Sequence, residues 1–357
     1  MFVFNVILKY INYLVIAGLL LAYAAPYINP SVFWPAAFFG LAHPIFLLLN
    51  VLFCLYWAIR RKLRFIFNLV VIIAGFSSLE KIVTIGAKTS PKRDGKLKVM
   101  SFNAKLFGVY EDANFFNKFI DEITEKNPDI ICIQEFYNVD VEGSNAINEI
   151  KKNTGLRFHY LHTLSRKKGK SKFGMITLSK YKIIDYGDLD FGVNTVNLCM
   201  YTDIKFNNEI VRIYNVHLQS LKLARTDYEL LKKIGEDSDS TIKVSKSIFE
   251  RVKTAFIQRG NQAILLKENM DKCGKLIILC GDFNDTPQSF AYQTLSLKLK
   301  DSFMESGNGL GGTYTGPLPS MRIDYILHDT SMVSYNYLTS SSFNSDHKML
   351  ETLIDVK

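Results

Sequence analysis

Leu276-Ile277-Ile278-Leu279-Cys280-Gly281-Asp282-Phe283-Asn284-Asp285 decides how the rest of this chain reads. An unbroken apolar run this short is a strand buried on both faces, the kind found inside a covered sheet. The run stops at a glycine, and then come a carboxylate, an aromatic, an amide and a second carboxylate. Layered folds place their chemistry at such strand ends, beside the connecting loops. Asp282 and Asn284, two apart on an extended segment, project to the same side. A charged oxygen ligand next to a neutral amide suits a hard divalent cation and a phosphate.

Outward from that strand, residues 97–103, 129–135, 174–179, 198–206, 210–218, 322–327 and 349–356 also read as strands. Asn207-Asn208 joins two of them in hairpin style. Residues 113–127 read as a helix with Phe116, Phe119, Ile120 and Ile123 on one face and Pro128 after its end. Residues 221–270 read as a charge-rich helical stretch broken around 235–240. Strands in the majority, with helices between some of them, predict two facing sheets with helices outside, an α/β sandwich. Residues 97–357 are enough to bury one full core.

The N-terminal part has a different composition. The chain of 357 residues holds 43 Lys and Arg and 34 Asp and Glu, yet residues 1–87 contain only Lys9, Arg60, Arg61, Lys62, Arg64, Lys81 and Glu80. Three apolar runs, 11–28, 32–59 and 65–86, each approach the roughly 20 residues that cross a bilayer, so three transmembrane helices are expected. A secretory leader has one short apolar segment and a cleavage site, which three runs do not match. The basic stretch Arg60-Arg61-Lys62-Leu63-Arg64 belongs in the cytoplasm. The uncharged connection at Asn29-Pro30-Ser31 then lies on the other side, and the third span carries the remainder out. The expected location is the cytoplasmic membrane of a bacterium, multi-pass, with the rest of the chain periplasmic. The expected division is 1–87 membrane region, 88–96 polar linker, 97–357 folded domain carrying the polar strand ends. Of the net charge of +9, residues 1–87 supply +5, so the basic balance reflects topology more than a polyanionic partner. The five cysteines show neither metal nor disulfide spacing and read as buried thiols.

Polar residues close the strands one after another: Asn103, Glu135, His217, Asp282 with Asn284, Asp324, and Asp346-His347. Each alone is an ordinary turn former or a satisfied histidine. Together, in the motifs Ser101-Phe102-Asn103, Ile133-Gln134-Glu135, Asn215-Val216-His217-Leu218, Gly281-Asp282-Phe283-Asn284-Asp285 with Pro287, Arg322-Ile323-Asp324-Tyr325 and Ser345-Asp346-His347, they resemble the endonuclease/exonuclease/phosphatase superfamily. That group includes pancreatic-type deoxyribonucleases, abasic-site endonucleases, neutral sphingomyelinases and inositol-polyphosphate phosphatases. Residues 173–179 resemble the family strand beside the site, and Arg259 and Gln262 the helix preceding the Gly-Asp-Phe-Asn strand.

The resemblance implies a four-layered α/β sandwich, two packed mixed sheets flanked by helices, and Mg²⁺- or Mn²⁺-dependent phosphoester hydrolysis. It implies Glu135 as the main metal carboxylate, Asn103 at the metal or the phosphate, and Asp346 completing the metal network. Asp282 would activate or position the water, Asn284 bind phosphate, and His217 donate to the transition state. His347, oriented by Asp324, would bond the phosphate or act as base, and Arg322 would touch substrate. Whether Asp282 or His347 takes the proton stays open. Lys105 stands where abasic-site nucleases carry an acidic residue, which argues against that branch, and His217 points to the histidine-bearing branches. The expected function is therefore a membrane-anchored metal-dependent phosphoesterase acting on nucleic acid. The alternative substrate is a phospholipid headgroup, and the non-enzymatic alternative an inactivated receptor for a phosphorylated ligand. A transporter is disfavoured because the apolar runs carry almost no ionisable residues. The basic run 166–172 reads as a polyanion grip or a solvated loop, the tract 307–316 with Tyr314 as part of the substrate rim, and His43, His159, His162 and His328 as structural.

Overall fold

The computed structural model describes the chain apart from residues 1, 109–113, 139, 142–143, 164–172, 193–196, 222–237, 318, 341–344 and 357. The basic run 166–172 thus lies outside the described residues. The chain forms two compact units: Met1–Ile82 with Leu221–Ile264 and Asp285–Leu295, and Val83–Ser220 with Leu265–Asn284 and Ser296–Lys357. The division expected at 88–96 is not how the residues cluster, because two later segments join the N-terminal unit.

The second unit is built on strands β1 (Val83–Thr84), β2 (Lys96–Asn103), β3 (Ile130–Tyr137), β4 (Asp140–Val141), β5 (Ser144–Asn145), β6 (Phe158–Thr163), β7 (Phe173–Ser179), β8 (Ile183–Leu189), β9 (Leu198–Phe206), β10 (Glu209–His217), β11 (Leu276–Asp282), β12 (Leu299–Asp301), β13 (Gly309–Leu310), β14 (Asp324–Asp329), β15 (Val333–Ser340) and β16 (Met349–Asp355). Two six-stranded mixed sheets dominate, in the orders β15-β16-β2-β3-β7-β6 and β12-β14-β11-β10-β9-β8. The β9–β10 hairpin turns through Asn207 and Asn208, both at positive φ, the backbone a two-residue hairpin turn requires.

Alternation along the strands sorts the core. On β2, Leu97 and Val99 join Ile130 and Cys132 of β3 and Ile213, Ile278, Cys280 and Ile326 of the other sheet in one cluster between the sheets. Met100 and Phe102 point the other way, towards Phe115, Phe119 and Ile123 of the helix Phe115–Lys126. That helix ends at Asn127 in the left-handed conformation, just ahead of Pro128, as the sequence predicts. Sheets face to face with helices outside confirm the sandwich.

The N-terminal unit departs from the expectation of three spans. Asn5–Tyr27 is apolar and long enough to cross a membrane, while Pro35–Leu41 and His43–Ile59 form a pair bent by 62°. Phe65–Ala74 has 10 residues, too few to span alone. Helix continuity corrects the reading from apolar composition: Pro35 and Pro44 sit at the starts of the bent pair, where a missing N–H and a fixed φ break a helix. Gly75 separates Phe65–Ala74 from Phe76–Glu80. The helices also bury Asn12, Asn50 and Asn68, and Asn50 Nδ2 donates to the carbonyls of Val15 (3.2 Å) and Phe46 (2.8 Å).

Candidate active site

The inner face of the sandwich begins apolar and turns polar over its last one or two positions on each strand. On β2 it runs Leu97, Val99, Ser101, Asn103; on β10, Val211, Ile213, Asn215, His217; on β11, Ile278, Cys280, Asp282. Period-two alternation therefore delivers the polar side chains to one rim. Register aligns them. His217 pairs with Asp282 across the parallel β10–β11 ladder, and Asp282 with Asp324 across the antiparallel β11–β14 ladder. Three of the expected site residues thus stand abreast on neighbouring strands, about 4.8 Å from one to the next.

Backbone distortions aim the rest. Glu135 lies in the register shift of the β3–β7 ladder, between the pairs Ile133↔Ile176 and Phe136↔Gly174, and has φ 47°. A bulge re-aims a side chain at a sheet rim. Asn284 has φ 53°, and the turn before it depends on Gly281, at φ +143°, where a Cβ would lie 2.0 Å from the Val216 carbonyl oxygen. Asn284 N–H donates to Asp282 Oδ1 (2.7 Å), and Asn284 Nδ2 to Asp282 Oδ2 (3.1 Å) and to Leu218 O (3.1 Å).

The cluster is dense. Asn103 Nδ2 donates to Asp282 Oδ2 (3.0 Å) and to Glu135 Oε1 (3.5 Å). His347 Nδ1 faces both oxygens of Asp324 at 3.0 and 3.1 Å, and its Nε2 is 3.8 Å from Asp282 Oδ2. His217 Nε2 lies 3.7 Å from both Glu135 Oε1 and Asp282 Oδ2. That nitrogen is buried with no hydrogen-bond partner among the described residues, a costly state that a ligand would relieve.

Electrostatics follow from crowding carboxylates in a dry place. Burial first, then the charge of Asp324, raises the Asp282 pKa to about 6, against the pull of His347 and His217. Burial pushes Glu135 up as well, opposed by His347 and by the Asn103 amide. For His347 burial disfavours the charged ring, but Asp324 and Asp282 outweigh it and lift the pKa to about 10. Burial holds His217 below its usual value, so its ring is neutral at pH 7. The site therefore pairs one imidazolium with one neutral imidazole.

Ligand atoms of Asp282, Asp324 and His347 lie within 4.8 Å of one another and have the spacing of a metal group. Because Nδ1 of His347 is turned to Asp324, this trio has the form of a tethered imidazole. The donor set otherwise fits a hard cation: oxygens dominate, their negative charge is unbalanced, and an orphaned nitrogen stands beside two of them. Asp346 is partly exposed and its Oδ2 is 3.7 Å from Lys105 Nζ. Lys105 also lowers the Glu135 pKa, so the sequence departure at this position brings a cation to the rim. Lys105, Leu106 and Phe107 are successive non-glycine residues at positive φ, a strained turn that the burial of Phe107 among Phe115, Phe116, Phe119 and Phe136 holds in place.

Arg322 is engaged elsewhere. Its Nη1 donates to buried Asp301 at 2.5 Å, and its guanidinium lies over Phe303 and Tyr325. Two contributors, Gln134 and Asn215, carried no assigned role in the sequence although both stand inside its motifs. Gln134 Nε2 donates to Asn215 Oδ1 (2.7 Å) and Asn215 Nδ2 to Ile176 O (3.0 Å), so the partners of Glu135 and His217 tie the two sheets together beneath the site. Tyr314, in the tract 307–316, bridges to His347 with ring centroids 5.7 Å apart.

A sequence profile of the endonuclease/exonuclease/phosphatase family matches residues 100–347, and a profile described only as a domain of unknown function matches residues 5–82. No curated protein matches the chain. Among solved structures, a family protein from Leptotrichia buccalis is 18% identical with a TM-score of 0.51, covering 73% of this chain and 100% of its own. A Bacteroides vulgatus endonuclease/exonuclease/phosphatase is 14% identical with a TM-score of 0.53, covering 73% and 99%. D. rerio TDP2, solved with a single-strand DNA product, is 14% identical with a TM-score of 0.53, covering 74% and 100%. At these identities the likeness concerns the fold.

Proposed function

The chain belongs to the endonuclease/exonuclease/phosphatase family of phosphoester-hydrolysing enzymes, and on that premise we propose that it is a membrane-anchored, divalent-metal-dependent phosphodiesterase whose first substrate class is nucleic acid. The observation that carries the reading is the aligned row His217, Asp282, Asp324 with His347 and Glu135 at its rim. Glu135 would hold Mg²⁺ or Mn²⁺, with Asn103 and Asp346 as further oxygen donors. When bound, such a cation supplies positive charge against the phosphoryl oxygens.

The chain's own groups do the remainder. Asp282, ionised above about pH 6 and oriented by Asn103 and Asn284, accepts the proton of the attacking water. The water oxygen bonds to phosphorus as the ester P–O bond breaks, and the leaving oxygen takes a proton from solvent. His347, charged at neutral pH and held by Asp324, donates to a phosphoryl oxygen. Neutral His217 donates to a second one, which gives its unpartnered nitrogen a role where donors count most. The raised Asp282 pKa, set against a charged His347, supports Asp282 as the base on this reading.

A second reading, a phospholipid headgroup as substrate, is favoured by one feature. Val83 and Ile85, just past the N-terminal helices, and Leu310, paired with Val83 across β1–β13, are all exposed. This apolar ribbon leads within four residues to Tyr314 beside His347. The extracytoplasmic orientation expected from the sequence needs a further crossing after the basic stretch 60–64, and Phe65–Ala74 is too short to supply one alone.

Full-length protein in detergent, given Mg²⁺ or Mn²⁺ and offered plasmid DNA, RNA, sphingomyelin-type vesicles and inositol phosphates, tests the assignment. The expected result is metal-dependent cleavage of nucleic acid that Glu135→Ala and His347→Ala both abolish. Cleavage of the vesicles alone selects the second reading, and no turnover on any substrate, or turnover that survives both substitutions, sinks the catalytic one. A phosphatase fused after Lys96 tests the orientation: activity in the periplasm requires a further crossing after the basic stretch 60–64, and an inactive fusion removes the extracytoplasmic placement.

A further inference from the structure

The profile of unknown function covers residues 5–82, and the unit that contains them also contains Asp285–Leu295. That segment is the direct continuation of Asp282-Phe283-Asn284. Within the unit it is gripped closely. Gln288 is buried, and its Nε2 donates to Ala22 O and to Ser78 Oγ, both at 3.2 Å. A Cβ on Gly40 would lie 2.5 Å from the Gln288 carbonyl oxygen and 3.0 Å from the Ala25 Cβ, so the backbone at Gln288 rests directly on Gly40. Asp285 Oδ2 accepts from Arg259 Nε at 2.9 Å, with both residues buried.

The helix that carries Arg259 is held by the same N-terminal stretch. Phe38 stacks on Phe249 at 4.9 Å and meets Phe256 edge-on at 5.3 Å. Trp34 meets Phe249 edge-on at 5.5 Å, and Ser31 Oγ donates to Asn261 Oδ1 at 2.8 Å. Residues 22–42 and Ser78 therefore fix both sides of the segment that leaves the catalytic strand.

The other end of that turn is fixed independently. Leu218 N–H donates to Asp282 O (3.0 Å), and Phe283 N–H to Ile323 O (2.8 Å). Between the two fixings sits Asn284 at positive φ. A non-glycine residue keeps such a conformation only where its surroundings over-determine it, and the residue that follows it, Asp285, is held by Arg259.

We propose that residues 5–82 are part of the catalytic apparatus and not a removable tether: through Gln288 as a positioning residue, Ala22, Gly40 and Ser78 hold Asp285–Ser289 and thereby set the orientation of Asn284 and Asp282. The proposal rests on the phosphoesterase reading for its effect on turnover, but the grip itself does not. It gives the segment of unknown function a task, and it makes the state of the N-terminal helices a determinant of rate.

The test uses full-length protein in detergent carrying Gln288→Ala, Gly40→Ala, Ser78→Ala or Ser78→Thr. Amide hydrogen exchange over residues 283–289 is compared with exchange over β2 and β3, and kcat and KM are measured on bis(p-nitrophenyl) phosphate with Mn²⁺. Gln288→Ala and Gly40→Ala are expected to speed exchange over 283–289 about tenfold, with β2 and β3 unchanged. They are expected to lower kcat about tenfold, the scale of a small misplacement of reacting groups, with KM within about twofold. Ser78→Ala gives a smaller effect of the same kind, and Ser78→Thr, which keeps the hydroxyl, restores both readouts. Unchanged exchange over 283–289 in Gln288→Ala and Ser78→Ala overturns the grip, whatever the probe substrate does. Faster exchange with unchanged kcat, in protein whose wild type turns the probe over, overturns the positioning role.

Discussion

Arg212 and His217 stand on the same strand, β10, and the buried carboxylates they meet behave in opposite ways. Arg212 makes a two-pronged contact with Asp203, Nε to Oδ1 at 2.6 Å and Nη2 to Oδ2 at 2.8 Å, and its guanidinium lies 3.8 Å from the Tyr201 ring centroid. Lys275 joins Asp203, and Asp185 joins Arg212. Burial opposes ionisation of Asp203, but the hydrogen bonds and charges of Arg212 and Lys275 outweigh it and hold the pKa below the ordinary value. At the other end of the strand, Asp282 has Asp324 and Glu135 for company, and its pKa rises to about 6. One cluster is balanced, two cations against two carboxylates. The other gathers three carboxylates around one charged and one neutral histidine. Stability alone selects the first arrangement, since uncompensated buried charge is costly. The second is kept for what it does, and perturbed titration in a polar rim is the physical mark of such a site.

The largest effects separate the clusters by what fails. Asp282→Asn is expected to lower kcat/KM about a thousandfold or more by removing the proposed base, and His347→Ala by a similar factor through loss of the proposed transition-state donor. Because Asp282 is held ionised against its surroundings, Asp282→Asn is also expected to raise the melting temperature of the metal-free protein. Steady-state kinetics and thermal melting on the same preparation check both halves. A variant that loses activity only in proportion to lost fold would erase the contrast between the two ends of β10.

Next in size, Arg212→Leu is expected to cost about 3 kcal/mol of stability, because it leaves Asp203 buried with one partner fewer. The specific activity of the folded fraction should stay within about twofold of wild type. Melting curves and active-site-normalised rates decide the matter. A large fall in kcat without a fall in stability would mean that the balanced cluster also serves the chemistry.

The sequence reading reached the two kinds of cluster unequally. Apolar alternation on β2, β10 and β11 made the sandwich legible, because a buried inner face imposes a period of two. The polar residue closing each run was legible too, since nothing apolar follows it. Register was not: whether His217 stands opposite Asp282 or a neighbour depends on ladder pairing between strands 59 residues apart in closure, from His217 to Leu276. The bulge that turns Glu135 inward left no composition signal, and nothing in the local sequence marks Asp203 and Arg212 as a buried pair. The apolar runs at the N-terminus were counted correctly as apolar, but prolines and glycines inside them decide helix length. The attachment of Asp285–Leu295 to residues 22–42 is a tertiary contact that no local pattern announces.

The smallest effect is a shift in pH profile, and it probes the site where Asp324 acts on both of its neighbours. Asp282 cannot accept a proton while it holds one, so kcat/KM is expected to rise as pH increases through about 6. His347 must keep its proton to donate, so the rate falls as pH climbs towards about 10. Asp324 raises both values, by repelling the charge on Asp282 and by stabilising that on His347. Asp324→Asn therefore moves both limbs to lower pH, each by about one unit for 1.4 kcal/mol of lost interaction, with metal saturating in both proteins. Arg212→Leu moves neither limb. Movement of the alkaline limb alone would transfer the acid limb from Asp282 to another group, and with it the role of base.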